Sequence, residues 1–234
     1  MDNPQIELAR QIIETTDTHL FLTGRAGTGK TTFLRRLRTE SPKRMVVLAP
    51  TGIAAINAGG VTIHSFFQLS FAPYIPGTKV PTSYAMTKQK IALIKSIDLL
   101  VIDEISMVRA DLLDAVDYAL RKHRRNSKPF GGVQLLLIGD LQQLAPVVKD
   151  EEWSMLKQHY PTPYFFSSIA LCNTNYVTVE LEKVYRQSDG HFLALLNEVR
   201  EGNVSQQTLD ALNQRYLPNF VPQKSDGYIQ LVTH

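Results

Sequence analysis

The chain has 234 residues, 44% hydrophobic and 20% charged, enough to bury one large domain or one domain and part of another. Its formal net charge of +3 permits a polyanionic partner without requiring one, and its single cysteine, Cys172, excludes an internal disulfide framework. We therefore expect a cytoplasmic protein with no membrane partner, because the sequence also lacks a secretory signal and any run of roughly 20 apolar residues.

Short apolar runs alternate with helical patterns along the chain. After a first helix that starts at Asn3-Pro4, the predicted strands are residues 19–24, 44–50, 98–104, 133–139 and 176–181. The predicted helices are residues 30–40, 52–58, 88–96, 109–125 and 190–201. Four of the five strands are almost continuously apolar, which is typical of a parallel sheet covered by helices on both faces. This order predicts an α/β domain with a mostly parallel sheet flanked by helices.

Three segments interrupt this alternation. Residues 71–87 contain three prolines and two tyrosines without a helical period, which indicates a surface insertion. Residues 217–227 have the composition of a connector, and residues 228–234, "YIQLVTH", have the pattern of a new strand. We expect that strand to open a further domain. Cys172 lies near an apolar run, so the expected role of its thiol is core packing.

The segment "GRAGTGKT", residues 24–31, has the spacing of a phosphate-binding loop between a predicted strand and a predicted helix. Its glycines let backbone amides surround phosphate oxygens at the positive end of the helix. Lys30 is expected to contact the β and γ phosphates of ATP, and the Thr31 hydroxyl is expected to bind Mg²⁺. The predicted nucleotide-binding residues of the loop and helix are Gly24, Ala26, Gly27, Thr28, Gly29, Lys30, Thr31 and Thr32.

Two acidic residues follow the apolar run "LLVI", at the carboxyl end of a predicted strand. Ligands bind at that edge of open α/β sheets, so the two carboxylates are expected beside the phosphate-binding loop. Asp103 is predicted to hold Mg²⁺ through water, and Glu104 to orient and activate the attacking water. Together with the loop, these residues predict a P-loop NTPase.

Four longer blocks carry a family resemblance. They are "LAPTGIAAINAGGVTIHSFF" (48–67), "LLVIDEISMVRADLLDAVD" (99–117), "LLLIGDLQQLAPV" (136–147) and "LEKVYRQSDGHFLALLNEVREG" (181–202). In this order the blocks resemble the PIF-one family of DNA helicases, relatives of RecD in helicase superfamily one. The resemblance covers nearly the whole chain. It implies a RecA-like fold and an ATP-dependent 5′→3′ DNA helicase with roles in replication, recombination, repair or genome maintenance.

The resemblance also implies roles at the nucleotide. Gln143 matches the glutamine of the "GDxxQL" block that faces the γ phosphate, with Gln142 as the less favoured alternative. Arg186 matches an arginine that stabilises the charge of the transferred phosphoryl group. Gln5, about one turn into the first helix, is a candidate for contact with the adenine edge, although a surface glutamine is nearly as favoured.

Single-stranded DNA is expected along a separate rim of the domain. Thr51 and Gly52 stand at a helix start that can bind a phosphate without base preference. His64 and Ser65 offer further phosphate contacts, and Phe66 or its neighbour Phe67 offers base stacking, with core packing favoured for one of the two rings.

The resemblance further implies a domain division. Residues 1–190 would form the first motor domain, with an inserted subdomain at about 66–97 that splits the duplex, and residues 191–234 would begin an incomplete second motor domain. The expected partners are single-stranded DNA, duplex junctions and the C-terminal remainder of a monomeric helicase. We expect this chain alone to hydrolyse ATP slowly and not to unwind duplex.

Several alternatives remain open at this point. A small-molecule kinase or other P-loop ATPase acting without nucleic acid shares the first two motifs, and a non-catalytic DNA-binding module is a third class. The basic run "RKHRRNSK", residues 121–128, is more typical of a solvated helix end than of a nucleic-acid contact. The histidines show no metal-binding spacing with Cys172, so no structural zinc is expected.

Overall fold

The structure is a computed structural model that describes residues 3–80, 82, 84–185, 189–221, 223 and 227–229. It divides the chain into two compact units, Met1–Arg186 and Gln187–His234. Among the described residues, no helix is both long and apolar enough to cross a membrane. The division of the chain into two motor domains stays a prediction.

The first unit is built on a six-stranded sheet in which every pairing of neighbouring strands is parallel. The strands lie in the order β3-β2-β4-β5-β1-β6. Their bounds are β1 His19–Gly24, β2 Met45–Ala49, β3 Val61–Thr62, β4 Leu99–Ile102, β5 Gln134–Ile138 and β6 Tyr176–Leu181. This sheet confirms the predicted α/β class. The sequence interpretation missed β3, because a strand of two residues has no detectable period.

Ten α-helices occur among the described residues. Their bounds are α1 Pro4–Thr15, α2 Lys30–Glu40, α3 Gly52–Ala58, α4 Ile63–Phe67, α5 Lys88–Ser96, α6 Ala110–Arg124, α7 Asp150–Leu156, α8 Ile169–Cys172, α9 Gly190–Glu201 and α10 Gln206–Asn213. The predicted bounds of α2, α3, α5 and α9 are confirmed. The Asn3 side chain accepts hydrogen bonds from the amides of Gln5 and Ile6, as expected of the cap of α1.

Alternate residues of the central strands enter two separate hydrophobic clusters, one on each face of the sheet. One cluster, packed against α5 and α6, includes Phe21, Leu48, Leu100, Ile102, Leu135 and Leu137. The other, packed against α1 and α2, includes Leu20, Leu22, Val47, Leu99, Val101, Leu136 and Ile138. Because both faces are covered, the strands lack the alternating polarity of a half-exposed sheet, which explains their continuously apolar sequences.

The segment predicted as an inserted subdomain, 66–97, contains α5 and a stretch with little regular structure. Its buried side chains Leu69, Tyr74 and Ile94 belong to the same hydrophobic cluster as α6. The Tyr74 amide also donates to the Asp111 carboxylate at 3.0 Å. The segment is thus anchored to the main core, and its interpretation as a duplex-splitting subdomain stays a prediction.

Helix α6 fixes the surrounding loops through buried carboxylates. Asp114, 6% exposed, accepts hydrogen bonds from the hydroxyls of Tyr160 and Ser168 at 2.9 and 2.5 Å. It also accepts from the amides of Ile169 and Ala170 at 3.1 and 3.0 Å. Burial and the Asp114 charge raise the pKa of the Tyr160 hydroxyl, which therefore stays a hydrogen-bond donor. One carboxylate thus ties α6 to α8 and to the residues before it.

Replacing Asp114 with Ala is expected to destabilise the fold by about 3 to 5 kcal/mol, because three buried donors and one partly buried donor lose their acceptor together. Urea unfolding followed by circular dichroism measures the effect. Glu151→Ala on the exposed face of α7 is the control, with little expected change. Equal stabilities of the two variants would contradict the anchoring role of Asp114.

The prediction that Cys172 packs in the core is wrong. The residue is exposed at the end of α8, where its sulfur lies 3.4 Å from the Phe166 carbonyl oxygen. Helix α8 has only four residues, and its buried side chains are Ala170 and Leu171. An apolar neighbourhood in the sequence did not define which side of so short a helix faces inward.

In the second unit, α9 and α10 are each capped by a polar side chain. Asp189 accepts from the amides of His191 and Phe192, and Ser205 accepts from the amide of Thr208. The predicted strand 228–234 lies mostly outside the described residues, since Gln230–His234 are not among them.

Candidate functional site

The phosphate-binding loop connects β1 to α2 as predicted, and its glycines adopt positive φ angles. Gly24, Gly27 and Gly29 have φ values of 144°, 81° and 96°. A Cβ on Gly24 would lie 2.5 Å from the Leu181 carbonyl oxygen, so only glycine fits beside β6. Gly29 caps α2 without a side-chain hydrogen bond, which leaves the first amides of α2 for a bound anion.

A cavity of about 480 Å³ lies over this loop. It is lined by Ile6, Ala26, Gly27, Thr28, Gly29, Lys30, Thr31, Thr32, Phe33, Arg36, Glu104, Gln143 and Tyr185. The structure thus brings together residues from the loop and from the ends of β4 and β5. Of the predicted nucleotide-binding residues, Gly24 and Gln5 do not line the cavity. The Gly24 carbonyl oxygen instead accepts a hydrogen bond from the Lys30 ammonium, and Ile6, the residue after Gln5, lines the cavity.

Lys30 is held by the loop itself. Its Nζ donates to the carbonyl oxygens of Gly24 and Arg25 at 2.5 and 3.0 Å. Thr28 is fully buried, and its hydroxyl donates to the same Arg25 oxygen at 2.8 Å. The ammonium group is therefore positioned at the loop before any phosphate binds, within the cavity that the glycine amides surround.

The acidic pair stands directly after β4. The Asp103 amide donates to the Leu48 carbonyl oxygen at 2.8 Å, which extends the pairing of β4 with β2 by one bond. The Glu104 amide donates to the Asp103 carboxylate at 3.0 Å. Glu104 has a left-handed backbone, with φ 52° and ψ 44°, a conformation that costs a non-glycine residue energy and often occurs at functional sites. This turn places the Glu104 side chain in the cavity.

Both carboxyl groups resist ionisation. Burial raises the pKa of Asp103, against the opposing influence of a hydrogen bond from Glu104 and of the Lys30 charge. Burial and the Asp103 charge raise the pKa of Glu104. Two half-buried carboxylates of like charge are a favourable environment for a cation, and a raised pKa suits a general base.

Asp103→Asn is expected to stabilise the nucleotide-free fold at pH 7.5. Because the folded pKa lies above the unfolded value near 3.8, the stability of the parent falls as the pH rises from the unfolded pKa to the folded pKa, and this loss is complete at pH values above the folded pKa. Below the unfolded pKa the carboxyl is neutral in both states, so the gain should vanish near pH 3.5. Thermal unfolding midpoints at the two pH values, without Mg²⁺, test this expectation. A variant less stable than the parent at pH 7.5 would contradict it.

Gln143 is positioned by a buried carboxylate after β5. Asp140 is 2% exposed, and its side chain accepts from the Gln143 side-chain amide at 2.9 Å and from the Gln142 backbone amide at 3.1 Å. Gln143 lines the cavity, and Gln142 does not. The geometry therefore favours Gln143 over Gln142 as the glutamine that faces a nucleotide. The role of Asp140 in positioning Gln143 was not predicted, although Asp140 lies in the same "GDLQQL" segment.

The predicted Arg186 lies outside the described residues. Its neighbour Tyr185 was not predicted, and it lines the cavity. The Tyr185 amide donates to the Gly27 carbonyl oxygen at 2.8 Å, and its hydroxyl accepts from the Asn3 side chain at 3.3 Å. The segment that leads to Arg186 is thus attached to the phosphate-binding loop. Tyr185 directly precedes Arg186 in the "VYRQ" block, and this adjacency is the feature of the sequence that could have indicated its place at the site.

The predicted nucleic-acid rim is partly accessible. Thr51 and Gly52 are exposed at the start of α3, and the Thr51 hydroxyl accepts from the Ala54 amide at 3.2 Å as a helix cap. No atom lies within 4 Å of a Cβ built on Gly52, so the backbone there is open to a ligand. Ser65 is exposed, and His64 is half-buried at the start of α4.

The base-stacking role predicted for Phe66 is wrong. Phe66 and Phe67 are 3% and 0% exposed and pack edge to face in the core, so neither ring has a free face. The accessible ring is Phe71, which is 80% exposed and stacks on His64 with ring centroids 4.6 Å apart. A helix of five residues that turns Phe66 and Phe67 inward together was not predicted from "HSFF".

Comparisons with known proteins identify a family that this chain resembles over most of its length. A family model described as PIF1-like helicase matches residues 2–210. ATP-dependent DNA helicase PIF1 of Saccharomyces cerevisiae is 38% identical over 196 residues, 81% of this chain and 22% of that protein. The human protein of the same name is also 38% identical over 196 residues, 80% of this chain and 28% of that protein.

Two solved structures extend the comparison. The crystal structure of a Pif1 helicase from Bacteroides with ADP-AlF3 and single-stranded DNA superimposes with a TM-score of 0.94 at 39% identity, covering 100% of this chain and 54% of that one. The Pif1 helicase from Candida albicans superimposes with a TM-score of 0.76 at 32% identity, covering 95% and 49%. The chain spans about a quarter of the curated relatives and about half of the solved chains. The RecA-like fold is confirmed, and the chain belongs to the PIF1-like helicase family.

Proposed function

We propose that this chain forms the first motor domain of an ATP-dependent DNA helicase that moves 5′→3′ on single-stranded DNA. The observation that carries the proposal is the convergence of Lys30, Glu104 and Gln143 on one cavity above the phosphate-binding loop. Those residue types supply the positive charge, the base and the neutral polar contact that phosphoryl transfer requires. The polymer substrate is supported by the relatives, among them an ATP-dependent DNA helicase and a Pif1 helicase solved with single-stranded DNA.

In this proposal each side chain acts on ATP directly. Lys30 offsets the charge of the β and γ phosphates, and Glu104 accepts a proton from the attacking water. Gln143, held by Asp140, contacts the γ phosphate or that water. Arg186 stabilises the transferred group. A Cβ placed on Gly29 would lie 3.8 Å from the Tyr185 side chain and 3.9 Å from the Ile6 side chain, so these two side chains border the cavity beside Gly29.

The residues present fit a magnesium ion. Thr31 is exposed in the cavity, and the Asp103 carboxyl, which does not line the cavity but adjoins the lining residue Glu104, has a pKa raised by burial and lowered in part by the Lys30 charge. No group of three or more metal-binding side chains occurs in the described part of the chain, and Mg²⁺ in such sites usually relies on one carboxylate, a hydroxyl and the nucleotide phosphates. Thr31 and Asp103 would hold the ion, which offsets phosphate charge when bound.

The proposed partners follow from the same assignment. The phosphates of a single strand of DNA would be contacted by Thr51, Gly52, His64 and Ser65. The helicase would meet duplex junctions as it moves along that strand. A second motor domain would complete both the DNA contact and the ATP site in a monomeric helicase.

The test compares steady-state ATP hydrolysis by this chain and by a chain extended through a second motor domain, each with and without oligo-dT. We expect strong stimulation by DNA in the extended chain and slow, unstimulated turnover in the present one. If oligo-dT does not change the rate of ATP hydrolysis by the extended chain, the result would favour a P-loop ATPase or kinase that acts without nucleic acid. Strong stimulation in the present chain would contradict the need for a second domain.

A further inference from the structure

A groove lies at the amino-terminal edge of the sheet. It consists of two adjoining cavities of about 680 and 810 Å³, and both are lined by Asn126 and Asn173. The larger cavity includes residues just before several strands, such as Thr18 before β1, Lys43 before β2 and Asn175 before β6. Since all six strands are parallel, this edge is opposite to the one that carries the nucleotide cavity. We call these two cavities the basic groove.

The basic run at the end of α6 supplies most of the charge in the groove. Six cationic side chains line it, namely Lys43, Arg121, Lys122, Arg124, Arg125 and Lys128. Three of them are occupied within the protein. Arg121 pairs with Asp117 at 2.8 Å, Arg124 donates to carbonyl oxygens including that of Gly131 at 2.9 Å, and Lys43 donates to Gln134 at 2.6 Å.

The other three cations have no carboxylate within ion-pair distance among the described residues. They are Lys122, Arg125 and Lys128, all exposed on the groove. Four carboxylates also line the groove. Asp117 pairs with Arg121, Asp98 pairs with Arg44, Asp17 lies 4.0 Å from the Lys43 ammonium, and Asp114 accepts from internal hydroxyl and amide donors. The six lining cations outnumber these four carboxylates, so the formal charge of the groove is positive, and its other polar groups include the side-chain amides of Asn126 and Asn173.

Arg125 occupies a position that favours glycine. It ends α6 with φ 53° and ψ 43°, the left-handed conformation in which a Cβ costs roughly 1 kcal/mol. Its amide donates to the Arg121 carbonyl oxygen, so the backbone there is fixed by the helix end. Fold stability alone does not require an arginine at this position, and Arg125→Gly removes the charge without imposing strain.

We infer that the basic groove binds the phosphate backbone of a DNA duplex. Guanidinium, ammonium and amide donors are the groups that contact phosphates without reading base sequence. The groove offers no free ring for stacking an unpaired base, because Tyr74 is 8% exposed and Tyr118 is half-buried with the Lys122 ammonium 5.8 Å from its ring centroid. This contact is independent of the nucleotide cavity and of the rim around Thr51, so it goes beyond the proposed motor function.

The experiment measures fluorescence anisotropy of a labelled, blunt-ended 20-base-pair duplex with this 234-residue chain at several salt concentrations, without nucleotide. The variant combines Lys122→Ala, Arg125→Gly and Lys128→Ala. We expect duplex affinity to fall about tenfold or more at low salt, and the slope of log affinity against log salt to fall by about 2 to 3, since each phosphate contact contributes about 0.9. The unfolding midpoint should not fall.

The control variant combines Arg35→Ala, Lys157→Ala and Arg215→Ala, which remove three exposed cations outside the groove. It should keep the parent's salt slope. Equal losses in the two variants would overturn the inference, because net charge alone would explain the binding. The inference would also be overturned if the groove variant lost affinity for an acidic polyglutamate peptide and kept its affinity for the duplex. Binding of a fluorescent ATP analogue, measured in parallel, reports separately on the proposed nucleotide site.

Discussion

Glu104→Gln is expected to slow ATP hydrolysis by about 10² to 10⁴-fold while nucleotide affinity stays nearly unchanged. The amide keeps the size of the side chain at the left-handed turn after β4, but it cannot accept a proton from water. Affinity should persist because the loop amides and Lys30, which lie in the same cavity, provide the phosphate contacts. Steady-state phosphate release by the extended chain with oligo-dT, alongside binding of a fluorescent ATP analogue, separates the two effects.

The pH dependence of the parent sharpens this test. Because burial and the Asp103 charge raise the pKa of Glu104, the acidic limb of the rate profile should lie above the ordinary glutamate pKa. Activity should be lost as the pH falls through that raised value, and the glutamine variant should lack the limb. Glu151→Gln on exposed α7 is the matched control and should behave as the parent. A Glu104→Gln variant with parental turnover would remove Glu104 from the mechanism.

Lys30→Ala is expected to weaken nucleotide binding and to reduce turnover at saturating ATP by about 10² to 10³-fold. The structure gives two reasons. The substitution removes the cation of the cavity, and it leaves the Gly24 and Arg25 carbonyl oxygens without their ammonium donor, so negative dipoles face the phosphates. Unlike Glu104→Gln, this change should affect affinity and rate together.

Lys157→Ala, an exposed lysine at the end of α7, serves as the control for a lost positive charge. Lys30→Arg tests geometry, because a planar guanidinium does not reproduce a compact ammonium held by two carbonyl oxygens, and little recovery is expected. Unchanged ATP turnover in Lys30→Ala would contradict the whole enzymatic assignment.

The parts of the structure that were predictable from sequence are those in which a local rule agrees with the tertiary environment. Continuous apolar runs such as 133–139 predicted central strands because both faces of the sheet are buried. Gly24 and Gly29 predicted the loop because both have a positive φ, and close packing against Leu181 also requires glycine at Gly24. Helix α2 followed from the same motif.

The two wrong predictions share a physical origin, and the missed Tyr185 has a different one. The direction in which Phe66 and Cys172 face depends on α4 and α8, which have five and four residues and therefore no readable period. The adenine contact of Gln5 stays a prediction, and the next residue, Ile6, lines the cavity. Tyr185 contacts the loop across more than 150 residues of sequence, and long-range contacts of that kind leave no local pattern.

The hydrogen bond from the Asp103 amide to the Leu48 carbonyl oxygen has a thermodynamic consequence. It joins the strand end that carries the acidic pair to β2, which ends at Ala49, two residues before Thr51. Under the proposed function, a nucleotide-dependent shift of Asp103 would reach the start of α3 through this pairing of β4 with β2. By linkage, the factor by which bound nucleotide changes DNA affinity at the rim would then equal the factor by which DNA changes nucleotide affinity at the cavity. The two ligands would be reciprocal effectors, and either could be used to measure the coupling free energy between them.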